Sequence, residues 1–232
     1  MIGIIGAMQV ETDNLKRALT DEKEEFVSGM AFYSGRLAGQ SVVLAKSGVG
    51  KVNAAMCAQT MILKYRPAAI INTGAAGGLK QGMGIGDIVI ADAVVQYDVD
   101  TSAVGDPVGF VSGVNRIEFL SESTLADGLY RAAKALPDTG VHRGIIATGD
   151  RFIGSRAEAA AIRARFSALA NDMEGGSIGQ VCLINGVPFC AVRAISDSEG
   201  DDSHMEYAQF VTLAAQKSEA IVLGYLTGLG GK

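Results

Sequence analysis

Two acidic side chains follow strand-like apolar runs in the second half of the chain. Glu174 comes shortly after the run Ala168–Ala170, in the sequence NDMEGG, and Asp197 closes the run that begins at Pro188. In α/β proteins, ligands bind beyond the carboxyl ends of the strands, where polar side chains of several strands converge. We therefore expect both carboxylates to face one cleft and to act there as acid, base or electrostatic groups.

Three further carboxylates, Glu11, Asp150 and Asp172, also follow predicted strands. Taken alone, a carboxylate at such a position is most often a helix cap or the ion-pair partner of a nearby arginine. Their chemical role therefore depends on whether the fold brings them to the same cleft.

Composition limits the class of protein. The chain has 232 residues, of which 48% are hydrophobic, and we expect residues 1–232 to form a single domain. Its 20 basic and 25 acidic residues give a net charge of −5, and Lys and Arg do not cluster with aromatic residues, which argues against nucleic acid as a partner. No apolar run approaches the ~18 residues of a membrane span, and no signal peptide is evident, so we expect a soluble, unprocessed protein.

Few side chains suit metal binding or nucleophilic catalysis. The cysteines Cys57, Cys182 and Cys190 lie in apolar runs without metal-like spacing, which indicates reduced thiols and a cytoplasmic protein. Neither histidine has a Ser or Cys nucleophile in an elbow motif. One acidic loop offers possible metal ligands, but such loops are usually solvated surface, and we predict no metal; its side chains are Glu199, Asp201, Asp202 and His204.

Short β-branched runs alternate with longer helical patterns along the chain. This alternation, with strands apolar enough to be buried on both faces, predicts an α/β sandwich around a largely parallel sheet. The predicted strands are Ile2–Ile5, Val42–Leu44, Ala69–Asn72, Asp87–Ala91, Ile145–Ala147, Ala168–Ala170 and Phe189–Ala194. The predicted helices are Val10–Leu19, Val52–Tyr65, Leu125–Leu136, Ala157–Phe166, Ser177–Asn185 and Tyr207–Leu226.

Glycines collect after the predicted strands, above all in Gly74–Gly78, where tight turns or close approach of the backbone to a ligand would require them. The sequence GVGK at Gly48–Lys51 is not a Walker phosphate loop, because Ala45 stands where the first glycine belongs and Val52 replaces the magnesium-binding Ser or Thr. Gly74–Gly78 does not match the dinucleotide spacing either. The glycines therefore do not indicate a nucleotide phosphate site.

Six blocks of the sequence together resemble a known family. They run in order over most of the chain: GIIGAM at 3–8 followed by Glu11, KSGVGK at 46–51, INTGAAGG at 71–78, Gly149-Asp150 with Phe152-Ile153, DMEG at 172–175, and RAISD at 193–197. In this combination they resemble the 5′-methylthioadenosine/S-adenosylhomocysteine nucleosidases. The resemblance implies a nucleoside phosphorylase-like, three-layer α/β/α sandwich with a mostly parallel mixed sheet. It also implies a homodimer that needs no cofactor.

The implied reaction is hydrolysis of the N-glycosidic bond of adenosyl thioethers, and of 5′-deoxyadenosine, to adenine and a 5-thioribose derivative or its deoxy counterpart. Breaking this bond builds positive charge on the sugar and negative charge on adenine, so the site must stabilise both charges. By resemblance, Asp197 is the general acid that protonates adenine N7, and Glu11 is the base that activates water, with Arg193 near that water. Glu174 would accept hydrogen bonds from the ribose hydroxyls.

The resemblance also assigns the remaining contacts. Phe152 would stack on adenine, and the backbone of Ile153 would read its edge; Met8 and Met173 would line the sugar and its 5′-substituent. Tyr207 would cover the 5′ side. The other residues assigned to substrate binding are Ser196, Ala75, Gly77 and Gly78.

The loop near residues 97–110 would cross to the neighbouring subunit, where Thr101 and Val104 would cap the 5′ pocket. Relatives often carry an aromatic residue where Val104 falls, so a bulkier substituent such as that of aminodeoxyfutalosine stays an alternative substrate. A phosphate-dependent nucleoside phosphorylase is a second alternative, which the acidic Glu11 disfavours because a carboxylate repels phosphate. A non-catalytic adenosine-binding module is a third, and the presence of all three acids argues against it.

Overall fold

The computed structural model describes residues 1–197 and 203–230. The strands are β1 Ile2–Gly6, β2 Thr20–Val27, β3 Met30–Leu37, β4 Gln40–Lys46, β5 Ala69–Gly78, β6 Ile88–Gln96, β7 Glu118–Leu120, β8 Val141–Thr148, β9 Ala168–Asp172 and β10 Phe189–Asp197. The α-helices are α1 Asp13–Arg17, α2 Lys51–Tyr65, α3 Ser123–Lys134, α4 Arg156–Phe166, α5 Gly175–Asn185 and α6 Ser203–Leu229. Two short 3₁₀ helices, Gln9–Glu11 and Ser102–Val104, lie in the connections.

All these strands belong to one mixed sheet in the order β10-β6-β8-β9-β5-β1-β4-β3-β2, with β7 beside β6. Strand β5 also pairs in parallel with β10, so that β5, β10, β6, β8 and β9 form a closed ring. Strand β5 thus pairs with β1 at Ala69–Asn72, with β10 at Ile70–Gly77 and with β9 at its last two residues. The ends of β1, β5, β9 and β10 therefore meet at one edge of the sheet.

Strands with apolar residues on both faces require helices on both sides. In β1, Ile5 packs into a cluster with α2 and α5, whereas its neighbour Ile4 packs into a second cluster with α1, α3 and α6. A third, smaller cluster holds α4 through Ala159 and Ile162. This arrangement confirms the predicted three-layer α/β/α fold.

The structure corrects three details of the predicted elements. The helix predicted over Val10–Leu19 is a 3₁₀ helix followed by the five-residue α1, and β2 begins at Thr20. Strand β2 itself was not predicted, because it is an exposed edge strand whose charged residues hide any alternation. The segment Gly74–Gly78 is the end of β5 rather than a turn, and none of its glycines has a positive φ.

Within the described residues, no helix combines the length and the apolar character that crossing a membrane requires. The same residues contain no group of three or more His, Cys, Asp or Glu side chains placed to hold a metal ion. Of the acidic loop weighed as a metal site, Glu199, Asp201 and Asp202, together with the side chain of His204, lie outside the described residues.

Candidate active site

A cleft of about 550 Å³, its open mouth included, lies where β1, β5, β9 and β10 end. The structure brings most of the predicted site residues to its wall: Met8, Glu11, Ala75, Gly77, Phe152, Ile153, Met173, Glu174, Ser196, Asp197 and Tyr207. The acids predicted from distant parts of the chain thus share one cavity.

Glu11 is buried at the end of the 3₁₀ helix that follows β1. Its Oε2 accepts hydrogen bonds from the backbone amides of Ala7 (2.8 Å) and Met8 (2.9 Å), and its Oε1 accepts one from Ala75 (2.9 Å). Burial raises the pKa of Glu11, while the charge of Arg193 and the three amides oppose that rise. A carboxyl group balanced in this way can exchange a proton with a bound water.

Glycine in β5 makes room for the carboxylate of Glu11. An ideal Cβ built on Gly74 would lie 2.8 Å from Cδ of Glu11, which is closer than non-bonded atoms approach. Glycine is unfavourable inside a strand for its own sake, so its presence here indicates the close approach of another group. Glu11 is that group.

Asp197 is the last residue of β10, which pairs with β5 along the edge opposite to β1. Its Oδ1 accepts a hydrogen bond from Ser196 Oγ (2.7 Å), and an ideal Cβ on its strand partner Gly77 would lie 3.1 Å from its Oδ2. Glu11 bonds to the amide of Ala75, two residues before Gly77, and two residues of strand span about 7 Å. The two carboxylates therefore contact β5 at different positions along the strand.

Glu174 precedes α5, and its carboxylate accepts a hydrogen bond from the backbone amide of Gly50 (2.9 Å) at the start of α2. Its Oε2 lies 3.9 Å from Nη2 of Arg193. Burial, with the neighbouring charge of Asp172 second, raises the pKa of Glu174 to about 7. At neutral pH the side chain is therefore only partly ionised, and its anionic form can accept hydrogen bonds from hydroxyl groups.

Arg193 lies beneath the cleft rather than in its wall. Its side chain is 1% exposed, and it donates hydrogen bonds to Oδ2 of Asp172 from Nε (3.0 Å) and Nη2 (2.6 Å) and to Oδ1 of Asn72. Asp172 also accepts from Thr148 Oγ1 (2.5 Å) and from the amide of Gly175 (3.0 Å). The guanidinium is thus fixed where its charge acts on Glu11 and Glu174 from below.

An apolar and aromatic wall closes the outer side of the cleft. Tyr207, near the start of α6, packs edge to face on Phe152 with 5.6 Å between ring centroids. Its hydroxyl donates a weak hydrogen bond to the sulfur of Met8 (3.1 Å). Aromatic and thioether side chains together suit a flat base and an apolar substituent.

Four predicted residues lie outside this wall. Arg193 is buried beneath it, and Gly78 is buried against Ile195. Thr101 and Val104 belong to the surface connection after β6, where Val104 is 82% exposed and contributes nothing to the cleft of its own chain.

Sequence reasoning missed several residues that hold the site. Asp172 was recognised only as an isolated acid, and its partners Thr148 and Asn72 come from other strands. Gly50 was noted as part of a loop, but nothing in the sequence links it to Glu174, whose carboxylate it binds. Three more residues in the wall, namely Ala7, Val49 and Asn171, carry no signal in a single sequence.

Known proteins resemble this chain over nearly its full length. The model of the phosphorylase superfamily matches residues 1–227. The 5′-methylthioadenosine/S-adenosylhomocysteine nucleosidase of Geobacillus sp. (strain WCH70) is 39% identical over 229 residues, which are 98% of each chain. The enzyme of the same name from Haemophilus influenzae (strain 86-028NP) is 39% identical over 229 residues, 98% of this chain and 99% of the relative.

The fold matches solved structures equally well. The crystal structure of the Neisseria meningitidis 5′-methylthioadenosine/S-adenosylhomocysteine nucleosidase, in complex with methylthio-immucillin-A, superposes with a TM-score of 0.94. The two chains are 35% identical, and the match covers 98% of each.

The raised pKa of Glu174 predicts how the stability of the protein depends on pH. Because the folded pKa of about 7 exceeds the ordinary value of 4.5, the folded state binds the proton more tightly than the unfolded state. This group therefore lowers the free energy of unfolding as pH rises from about 4.5 to 7. We expect Glu174→Gln to stabilise the protein at pH 8 by up to about 3 kcal/mol, since each pKa unit corresponds to about 1.4 kcal/mol.

Urea unfolding of the parent and of Glu174→Gln at pH 8 and pH 5 measures the difference in the free energy of unfolding. The stabilisation by Glu174→Gln should be smaller at pH 5 than at pH 8. The exposed Glu118 provides the matched control, because Glu118→Gln should change stability little at either pH. A Glu174→Gln variant less stable than the parent at pH 8 would contradict the prediction.

Proposed function

We propose, from its membership of the phosphorylase superfamily and, within it, of the 5′-methylthioadenosine/S-adenosylhomocysteine nucleosidases, that the chain is a hydrolase. It hydrolyses the N-glycosidic bond of 5′-methylthioadenosine and of S-adenosylhomocysteine. The products are adenine and the corresponding 5-thioribose. The observation that carries the proposal is the convergence of Glu11, Glu174 and Asp197 on one cleft with an aromatic and thioether wall.

We propose that each acid has a separate task. Asp197 donates a proton to adenine N7 as the bond between ribose C1′ and adenine N9 breaks, so that the base leaves as a neutral molecule. Glu11 accepts a proton from water while the water oxygen bonds to C1′. Glu174 accepts hydrogen bonds from the ribose hydroxyls and places negative charge beside the cationic sugar.

The buried charges favour water over phosphate as the attacking group. A phosphorylase must hold a phosphate anion with basic groups. Arg151, the basic side chain in the cleft wall, is already paired with Glu158 at 2.6 Å, and Arg193 is paired with Asp172 beneath the wall. A phosphate at the position of the attacking water would also lie beside the carboxylate of Glu11.

Adenine release with and without phosphate tests the proposal. We expect release from methylthioadenosine and S-adenosylhomocysteine at rates that added phosphate does not increase. Aminodeoxyfutalosine and 5′-deoxyadenosine belong in the same assay, because both share the adenosine moiety and differ at the 5′-substituent. A rate that rises in proportion to phosphate, with the corresponding 5-thioribose 1-phosphate as the sugar product, would indicate a phosphorylase instead.

Substitution of the acid and the base tests their roles. We expect Asp197→Asn and Glu11→Gln each to lower kcat by about 10²–10⁴-fold, the usual contribution of general acid–base groups, while nucleoside affinity changes far less. Steady-state kinetics with methylthioadenosine, and calorimetric binding to each variant, separate the two effects. The control is Asp127→Asn, since Asp127 forms a surface ion pair with Arg143 away from the cleft. An Asp197→Asn enzyme with unchanged kcat would show that another group protonates the base.

We also propose that the protein is a homodimer of the cytoplasm. The free, buried thiols of the three cysteines are typical of a reducing compartment. Helices α2 and α5 pack side by side and leave large apolar side chains exposed, as protein–protein interfaces do. These are Val52, Met56, Leu63, Leu183 and Ile184, with Val49 next to the cleft.

In such a dimer, Thr101 and Val104 of one subunit would cover the 5′ side of the neighbouring cleft. We expect Val52→Asp to weaken dimerisation and to raise the KM for methylthioadenosine, because a charge would be buried at the interface and the cleft would lose its cover. Light scattering and kinetics at matched concentrations measure both. Phe26→Asp is the control, since Phe26 is equally exposed on the distant β2 edge. A monomeric parent protein with full activity would refute the dimer.

A further inference from the structure

Glu219 is a buried carboxylate that the proposed reaction does not use. It lies in the middle of α6 and is 1% exposed. Its Oε1 accepts a hydrogen bond from the backbone amide of Asn14 (3.2 Å), and its Oε2 accepts one from Asn14 Nδ2 (2.5 Å). A buried carboxylate is costly unless it is well bonded, so these contacts explain how the fold tolerates it.

The contacts place Glu219 at the N-terminus of α1. Free amides at the start of a helix are usually capped by the side chain of the preceding residue, but Thr12, the N-cap of α1, makes no such bond. The amide of Asn14 is instead bonded by the carboxylate of Glu219, from a helix that is distant in sequence. A negative charge at this end of α1 also interacts favourably with the helix dipole.

The segment that Glu219 holds also carries Glu11. The 3₁₀ helix Gln9–Glu11 continues through Thr12 into α1, so any displacement of α1 is transmitted to Glu11. The fit is close, because an ideal Cβ on Gly6 would lie 2.7 Å from Cγ2 of Thr12 and 3.2 Å from Cβ of Glu11. The three amide bonds of Glu11 require this placement.

We propose that Glu219 is a positioning residue for the base Glu11, acting through the capped N-terminus of α1. The inference rests on the proposed function, since Glu11 is the base only in that reaction. Burial raises the pKa of Glu219, and the bonds to Asn14 oppose the rise. Helix α6 thereby supports the site twice, because its Tyr207 covers the cleft and its Glu219 holds the segment behind it.

The test compares Glu219→Ala with Glu219→Gln. A misplacement of about 1 Å can cost about 10²-fold in rate. We expect Glu219→Ala to lower kcat for methylthioadenosine by about 10- to 100-fold with little change in KM. The affinity for adenine should be unchanged, because in the proposed reaction adenine contacts Asp197 and Phe152 rather than Glu11. Glu219→Gln should restore most of kcat, since its amide oxygen can accept the bond from the Asn14 backbone.

Glu122→Ala is the matched control. Glu122 also caps a helix with its carboxylate, accepting hydrogen bonds from the amides of Thr124 (3.0 Å) and Leu125 (2.7 Å) at the start of α3, which does not line the cleft. We expect Glu122→Ala to lower thermal stability and to leave kcat unchanged. Asn14→Ala is the second variant if Glu219→Ala does not fold, and it should lower kcat by about 3- to 10-fold, as the loss of one of the two bonds predicts.

The outcomes separate a positioning role from a structural one. The inference would be overturned if Glu219→Ala kept the kcat of the parent, or if it lost kcat and adenine affinity together. If Glu219→Ala does not fold, an Asn14→Ala enzyme with full kcat would overturn it. A parent protein that releases no adenine from any nucleoside would instead overturn the proposed function itself.

Discussion

The site depends on one buried cation. Among the described residues, Arg193 is the buried side chain that carries a permanent positive charge; it binds the buried Asp172, and its charge acts on the buried carboxylates of Glu11 and Glu174. A guanidinium remains protonated at any physiological pH. It balances one carboxylate fully, and its two bonds show that this one is Asp172. Glu11 and Glu174 receive only part of its field, and burial therefore raises the pKa of Glu11 above its ordinary value and that of Glu174 to about 7.

A second constraint is the backbone of β5, against which the carboxylates of Glu11 and Asp197 pack. Gly74 and Gly77 present no Cβ, so the carboxylates of Glu11 and Asp197 approach the strand itself. The backbone amide of Ala75 can then donate directly to Glu11, which a bulkier surface would prevent. These glycines weaken the intrinsic β preference of the strand, and pairing compensates: β10 pairs with Gly74 and Gly77, and β9 pairs with Gly77 and Gly78.

Much of the fold and of the candidate site could be predicted from the sequence. The rest could not, and the reasons are physical. The acids at strand ends and the sandwich follow from local patterns of apolar and polar residues. The exposed edge strand β2 was missed because its alternation is masked by charge, and Gly74–Gly78 was misinterpreted because glycine has low strand preference. The partners of Asp172 were invisible because they are contacts between strands remote in sequence, which a single sequence does not record.

The arrangement of charge also bears on the choice between water and phosphate as the attacking group. Arg193 is paired with Asp172 and does not fully balance Glu11 and Glu174, so negative charge on these two carboxylates repels an anion such as phosphate but not a neutral water. In the proposed reaction the same negative charge stabilises the sugar, which becomes positive as its bond to the base breaks. An arginine in place of Glu11 would reverse the first effect, yet it would also remove the group that we propose as the acceptor of the proton of water. In the proposed reaction, the side chain that follows β1 therefore decides both which nucleophile enters the cleft and whether it can be activated there.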